Sequence, residues 1–197
     1  MTKNSHKGRV GGPRPGAGAK PKMKDATRVL FYVHPDTAQV LADLAAEAAA
    51  VVDEANRQVY VRDRDERITR SELVRAAIDI YFQHLTASPR SLAEYFRPYL
   101  GRAKLVDLNE GVRTRQERID TYIAKALKEH VVKLADLINV EIKHDNRQQV
   151  LKKDRDEPVV ASELYREAVR QFLNAYEGRP EELAHDLRPR LGRPKDR

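Results

Sequence analysis

The strongest constraint on this chain is that it repeats itself. The phrase FRPYLGR at 96–102 returns as LRPRLGR at 187–193, 91 positions later. At the same offset DRDE (63–66) meets DRDE (154–157), and SEL (71–73) meets SEL (162–164). Pro89, Leu92, Ala93, Arg97, Pro98, Leu100, Gly101 and Arg102 each find an identical residue, eight matches in the fifteen positions 88–102. Upstream, RVLFYV (28–33) meets RIDTYI (118–123) at an offset of 90, so the second copy gained one residue in an intervening loop. A repeat of this length means that both halves fold alike and must bury their apolar faces in one scheme.

Each copy reads as a strand, two helices and a short extra helix. In the strands, Val29, Phe31 and Val33 alternate with Arg28, Leu30 and Tyr32, while Ile119, Thr121 and Ile123 alternate with Arg118, Asp120 and Tyr122. His34-Pro35 reads as a cap followed by the first helical residue, because proline already has the helical φ and lacks only an orphan N–H. Leu41, Leu44, Ala45, Ala48 and Val52 then fall at helical spacing, as do Val131, Leu134, Ala135, Ile138 and Ile142. The second helices carry matched apolar stripes, Leu73 to Leu85 in one copy and Leu164 to Tyr176 in the other. Pro89 and Pro180 open the short helices, with Leu92, Phe96 and Leu100 four apart; Pro98 and Pro189 remove a donor near the end, and Gly101 or Gly192 stops the turn.

A lone six-residue strand leaves a full row of backbone groups unpaired, and two amphipathic helices cannot cover it. Pairing the two strands as an antiparallel ribbon over the helices solves both problems. The expected fold class is therefore mainly α with a short antiparallel β-ribbon. RVLFYVHPD and RIDTYIAKALKE at the strand-to-helix joins, with ITRSELVRAAI opening a second helix, resemble the ribbon-helix-helix family of DNA-binding proteins, the Arc/MetJ class. The resemblance covers roughly half the chain. In that family two chains usually supply the two strands; here one chain carries both, so the resemblance implies a tandem ribbon-helix-helix pseudo-dimer. The expected organisation is a basic N-terminal arm (1–25), a first module with its short helix (26–103), a linker (104–116), a second module (117–193) and a basic tail (194–197).

The resemblance also implies a site. A two-stranded ribbon fits the major groove, with one face on the helices and the other on base edges. Arg28, Leu30, Tyr32, Arg118, Asp120 and Tyr122 form the outward set. Arginine can fork onto guanine O6 and N7, aspartate can accept from cytosine N4, leucine can cover a thymine methyl, and tyrosine can touch a base or phosphate. The sets differ at Leu30 and Asp120, which predicts unequal half-sites. The second-helix N-terminus offers amides to a phosphate. There Thr69 and Glu72 form a capping box, with Arg70 and Ser71 adding contacts; the second copy has Val160, Ala161 and Ser162 instead, keeping the serine and losing the cap.

Charge placement agrees. Net charge is +7, but residues 1–24 hold seven Lys/Arg and no acid, and the last ten hold five against Asp196. The remainder, 25–187, has 25 bases and 29 acids, a net of −4. Basic tails track phosphates and make affinity salt-dependent, so Lys20, Lys22 and Lys24 join the expected phosphate contacts. The GGPRPGAGAKPK stretch is too Gly/Pro-rich to pack. LGRPK resembles the core of an AT-hook, with Leu191 where that motif has its preceding arginine.

Enzyme chemistry finds little footing. There is no cysteine, the six histidines are scattered without metal-ligand spacing, and no glycine-rich phosphate loop joins a strand to a helix. The two DRDE loops read as solvated salt-bridge turns. No cofactor is expected. No apolar run reaches the roughly 20 residues of a membrane span and no secretory signal is present, so the expected location is cytoplasmic and nucleoid-associated. The expected partner is double-stranded DNA, with self-association of adjacent molecules on it and a protein partner for the short C-terminal helices as further expectations. The expected function is a transcriptional repressor. Alternatives are a plasmid or phage accessory protein for partition, relaxosome assembly or packaging, and an antitoxin-like protein-binding module.

Overall fold

The computed structural model describes residues 25–60, 65–97, 116–149 and 156–188. Its elements run β1 (Ala26–Val33), α1 (Pro35–Arg57), α2 (Arg70–His84), α3 (Pro89–Phe96), β2 (Glu117–Ala124), α4 (Lys125–Asn146), α5 (Ala161–Tyr176) and α6 (Pro180–Leu187). The fold is mainly helical with one two-stranded antiparallel sheet. Both strands extend to eight residues, two more than the alternation alone marked.

The strands pair within the one chain, and the register places Leu30 opposite Asp120, its own equivalent in the other copy. Arg28 then faces Tyr122, and Tyr32 faces Arg118. The centre of the ladder is thus the centre of the repeat. Beneath it, the alternation holds: Val29, Phe31, Val33, Ile119, Thr121 and Ile123 are all buried. The strands reach the helices by different chemistry. The Phe31 ring packs on Tyr165 at 5.7 Å, whereas the Thr121 hydroxyl at the equivalent place donates to the Ser71 carbonyl at 3.1 Å.

α1 starts as its sequence requires, with His34 extended at the cap and its Nδ1 accepting from the Asp36 amide at 3.3 Å. The stripes predicted on α1 and α4 are buried along their whole length, and those on α2 and α5 are buried or packed against the core. Each short helix covers the first helix of the other copy: α3 packs on α4 and α6 on α1, while α2 and α5 pack on each other. Their apolar residues, Leu92, Ala93 and Phe96 with Leu183, Ala184 and Leu187, are consumed in those contacts. α3 and α6 end at Phe96 and Leu187, two residues before each proline, and the glycines expected to stop them lie outside the described residues.

That exchange explains why the two phrases are duplicated together. Arg97 Nε donates to Asp156 at 2.9 Å, and Arg188 Nε donates to Asp65 at 2.8 Å, so each arginine of the RP phrase holds the DRDE aspartate of the other copy. Asparagines hold the backbone of the same two aspartates. The Asn56 amide exchanges bonds of 2.9 and 2.8 Å with the Asp65 backbone, and Asn146 does the same with Asp156. The aspartates Asp65 and Asp156 thus form the ion pairs expected of the DRDE segments, partly buried rather than fully solvated; residues 61–64 and 150–155 lie outside the described residues. Arg97 also pairs with Asp145, holding that carboxyl below the usual carboxylate range, whereas the matching position in the first copy is Ala55. Arg97→Ala will therefore destabilise the chain by about 1 kcal/mol and Arg188→Ala by less, since both side chains are partly solvated and screened. Urea midpoints of the two variants check the order.

Candidate nucleic-acid interface

All six side chains expected to read bases project from one side of the ribbon. Leu30, Tyr32 and Tyr122 are 41%, 44% and 55% exposed, against 1% for Phe31 on the opposite side. Arg28 and Arg118 are exposed and Asp120 is half-buried between them.

The charges on this surface are organised around Asp120. Arg28 Nε lies 2.7 and 2.9 Å from the two Asp120 oxygens, and its Nη2 closes the fork on Oδ2. Arg118 Nη2 stands 3.6 Å from the same carboxylate. The hydrogen bond from Arg28 holds the Asp120 carboxyl below its usual range, and Asp120 in return raises the arginine. Asp120 is therefore an anion through the neutral range, oriented by one arginine and leaned on by the other. This qualifies its expected role: an Asp120 that accepts from cytosine must share its oxygens with Arg28. Among the described residues, the far end of the Arg28 guanidinium, Nη1 and one Nη2 hydrogen, is not used by this carboxylate, since arginine carries five donors.

The second helices begin against the ribbon. The Ser71 hydroxyl donates to the Asp120 carbonyl at 3.4 Å, and Arg70 Nη1 lies 3.4 Å from Glu117. Thr69 and Glu72 form the reciprocal capping box: the Thr69 amide donates to Glu72 Oε2 at 2.8 Å and the Glu72 amide to Thr69 Oγ1 at 3.3 Å. The Thr69 hydroxyl also donates to Glu72 at 2.9 Å, so this side chain serves the helix start. Thr69, Arg70 and Ser71 are all exposed, and of the three only Arg70 carries a charge. In the second copy Glu163 still returns to the Val160 amide at 2.7 Å, but valine has no acceptor to complete the box. Asn139 compensates by exchanging two bonds, 2.9 and 2.8 Å, with the Val159 backbone just before α5. Ser162 sits half-buried in the first turn of α5. Lys20, Lys22 and Lys24 lie outside the described residues.

Three cations not singled out in the sequence stand at the ribbon: Lys128 Nζ donates to the Arg28 carbonyl at 3.3 Å, Lys125 opens α4 with its backbone amide donating to the Asp25 carbonyl at 2.8 Å, and Arg166 Nη1 donates to the Tyr32 carbonyl at 3.3 Å. The signal was available for the lysines. α4 opens on Lys125 and Lys128 with no acid in its first turn and no side-chain cap, although helix dipoles disfavour cations there. α1 carries Pro35 and Ala38 at the equivalent positions and Asp36 in its first turn. Among the described residues no group of three or more His, Asp or Glu could hold a metal, and no helix is long and apolar enough to cross a membrane.

Comparison with known proteins adds nothing to this geometry: no family model, no curated protein and no solved structure matches the chain.

Proposed function

We propose that this chain is a sequence-specific double-stranded DNA-binding protein, acting as a transcriptional repressor on the nucleoid, whose tandem ribbon-helix-helix modules form a covalent pseudo-dimer. The observation that carries the proposal is the ribbon's exposed side. Arg28, Leu30, Tyr32, Arg118, Asp120 and Tyr122 stand together on an antiparallel pair whose other side is core. Such a pair matches the roughly 12 Å width of the major groove. Arg70, Lys125, Lys128 and Arg166 flank it, where backbone phosphates pass.

Because Leu30 and Asp120 occupy the centre of the ladder, the two halves of the reading surface differ in charge as well as shape. The DNA site is therefore a pseudo-palindrome read in one orientation. Footprinting on genomic fragments separates the repressor from its accessory alternative. A single protected site overlapping a promoter supports repression; protection of a repeated array near an origin or packaging site supports the accessory role.

The flanking lysines supply a second expected result. Lys125→Ala with Lys128→Ala will weaken binding to all duplexes alike and flatten the salt dependence by about one to two in log–log slope, since each lost phosphate contact removes about 0.9. Anisotropy titrations across a salt series check this. An unchanged slope removes α4 from the interface.

A further inference from the structure

Away from the ribbon, α4 leaves a group of large apolar side chains in solvent. Val132, Leu137 and Val140 are 43%, 53% and 59% exposed. At 100° per residue they share the outward arc of the helix with Lys133, Asp136 and Lys143, opposite the buried stripe from Val131 to Ile142. A single exposed valine needs no partner, but three such residues on one face of one helix form a patch of the kind that marks a protein contact.

The equivalent face of α1 is its complement in charge and in bulk. Asp43 stands where α4 has Lys133, and Asp53 where it has Lys143, and all four are exposed. Ala46 and Ala50 lie between the two acids on the helix surface, as Asp136 and Val140 lie between the two lysines. One oxygen of Asp43 accepts from Gln39 at 2.8 Å and one of Asp53 stands 3.8 Å from Arg67, which leaves each carboxylate a second oxygen. Lys133 and Lys143 pair with no acid among the described residues.

We propose that α4 of one molecule packs against α1 of a second copy of this chain, head to tail. The acids of α1 and the lysines of α4 have the same spacing along their helices. An antiparallel crossing that brings Asp43 to Lys143 therefore also brings Asp53 to Lys133. It sets Val140 on Ala46, where the small side chain leaves room, and Asp136 on the uncharged Ala50. The same crossing between two copies of α1 opposes aspartate to aspartate, and between two copies of α4 lysine to lysine, so like faces reject each other. A heterologous contact occupies one face of each molecule and leaves its counterpart open, so copies add in a row. The contact uses no residue of the ribbon and holds whatever the ribbon binds.

A single helix crossing falls short of the roughly 1,200 Å² of a stable complex, so the association is weak and the test traps it covalently. The chain has no cysteine, so Ala46→Cys and Val140→Cys each introduce a single thiol. The two full-length variants, one carrying a size tag, are mixed without DNA at about 1 mM protein and about 50 mM salt, where surface charges are little screened, and bridged with a short bismaleimide. The expected product is a cross-linked dimer of mixed composition, with either variant alone yielding about tenfold less, since its own faces oppose like charges. Asp43→Lys with Asp53→Lys in the Ala46→Cys chain will cut the mixed yield about tenfold, because two exposed pairs turn from attraction to repulsion. Lys133→Asp with Lys143→Asp in the Val140→Cys chain will then restore it. Every altered position is exposed, and a thermal melt of each variant confirms that it is folded. No mixed product, an equal yield from one variant alone, indifference to the charge reversal, or a reversal that the swapped partner does not restore each overturn the proposal.

Discussion

Phe31→Ala will lower the stability of this chain by about 3–5 kcal/mol, the usual range for emptying a buried phenylalanine site. The ring is 1% exposed, lies opposite Ile119 in the ladder and packs on Tyr165 at 5.7 Å. Nothing near it can collapse cheaply, because the strand above and α5 below are each tied to further elements. Domains of this kind are stable by only about 5–15 kcal/mol, so the loss is a large part of the total. Leu30→Ala, one residue away on the exposed side, will change stability by less than about 0.5 kcal/mol. Urea midpoints at unchanged slope measure both. Similar costs for the two positions would mean that the ribbon presents the other face to the helices.

The second large effect concerns recognition. Arg28→Ala will weaken binding to the preferred duplex by roughly tenfold to a hundredfold, the range of one lost guanine fork. It will change binding to unrelated DNA little. Arg118→Ala will lose less, because only Arg28 is held in a fixed pose by Asp120; Arg118 stands 3.6 Å from that carboxylate. A pre-oriented side chain gives up less freedom on binding, so more of its contact energy reaches the affinity. Arg28→Lys will not rescue the loss, since a lysine cannot make the planar fork. Anisotropy competition between preferred and unrelated duplexes at fixed salt reads these differences. Equal losses for Arg28→Ala and Arg118→Ala would remove the role given to Asp120.

Periodicity made the helices and both faces of the strands legible, because burial acts on residues at fixed spacing. The stripe from Leu41 to Val52 and the alternation from Val29 to Val33 needed no tertiary information. The exposed side of the ribbon was legible for the same reason, as the complement of a buried face. What periodicity could not show was contact between copies. Arg97 and Asp156 sit in separate segments of sequence, and only their placement by the exchanged short helices brings them together. Duplication was the available clue: Arg97 and Arg188, like Asp65 and Asp156, are equivalent pairs that contact reciprocal partners. The Arg28–Asp120 pair was also only half legible. Arg28 and Asp120 were each read as an independent contact, whereas the antiparallel register sets them diagonally adjacent and binds them into one unit. Lys128 and Arg166 escaped notice because both reach the ribbon through its backbone carbonyls, which leave no mark in the sequence.

Selection of bound sequences from random duplex DNA tests the central claim most directly. If the ribbon enters the major groove, the wild-type chain will enrich one site with two unequal halves. Enrichment at the guanine under Arg28 will vanish in Arg28→Ala and when that guanine is methylated at N7. A pool that shows no enriched sequence, or one whose preference survives the loss of both Arg28 and Arg118, contradicts it.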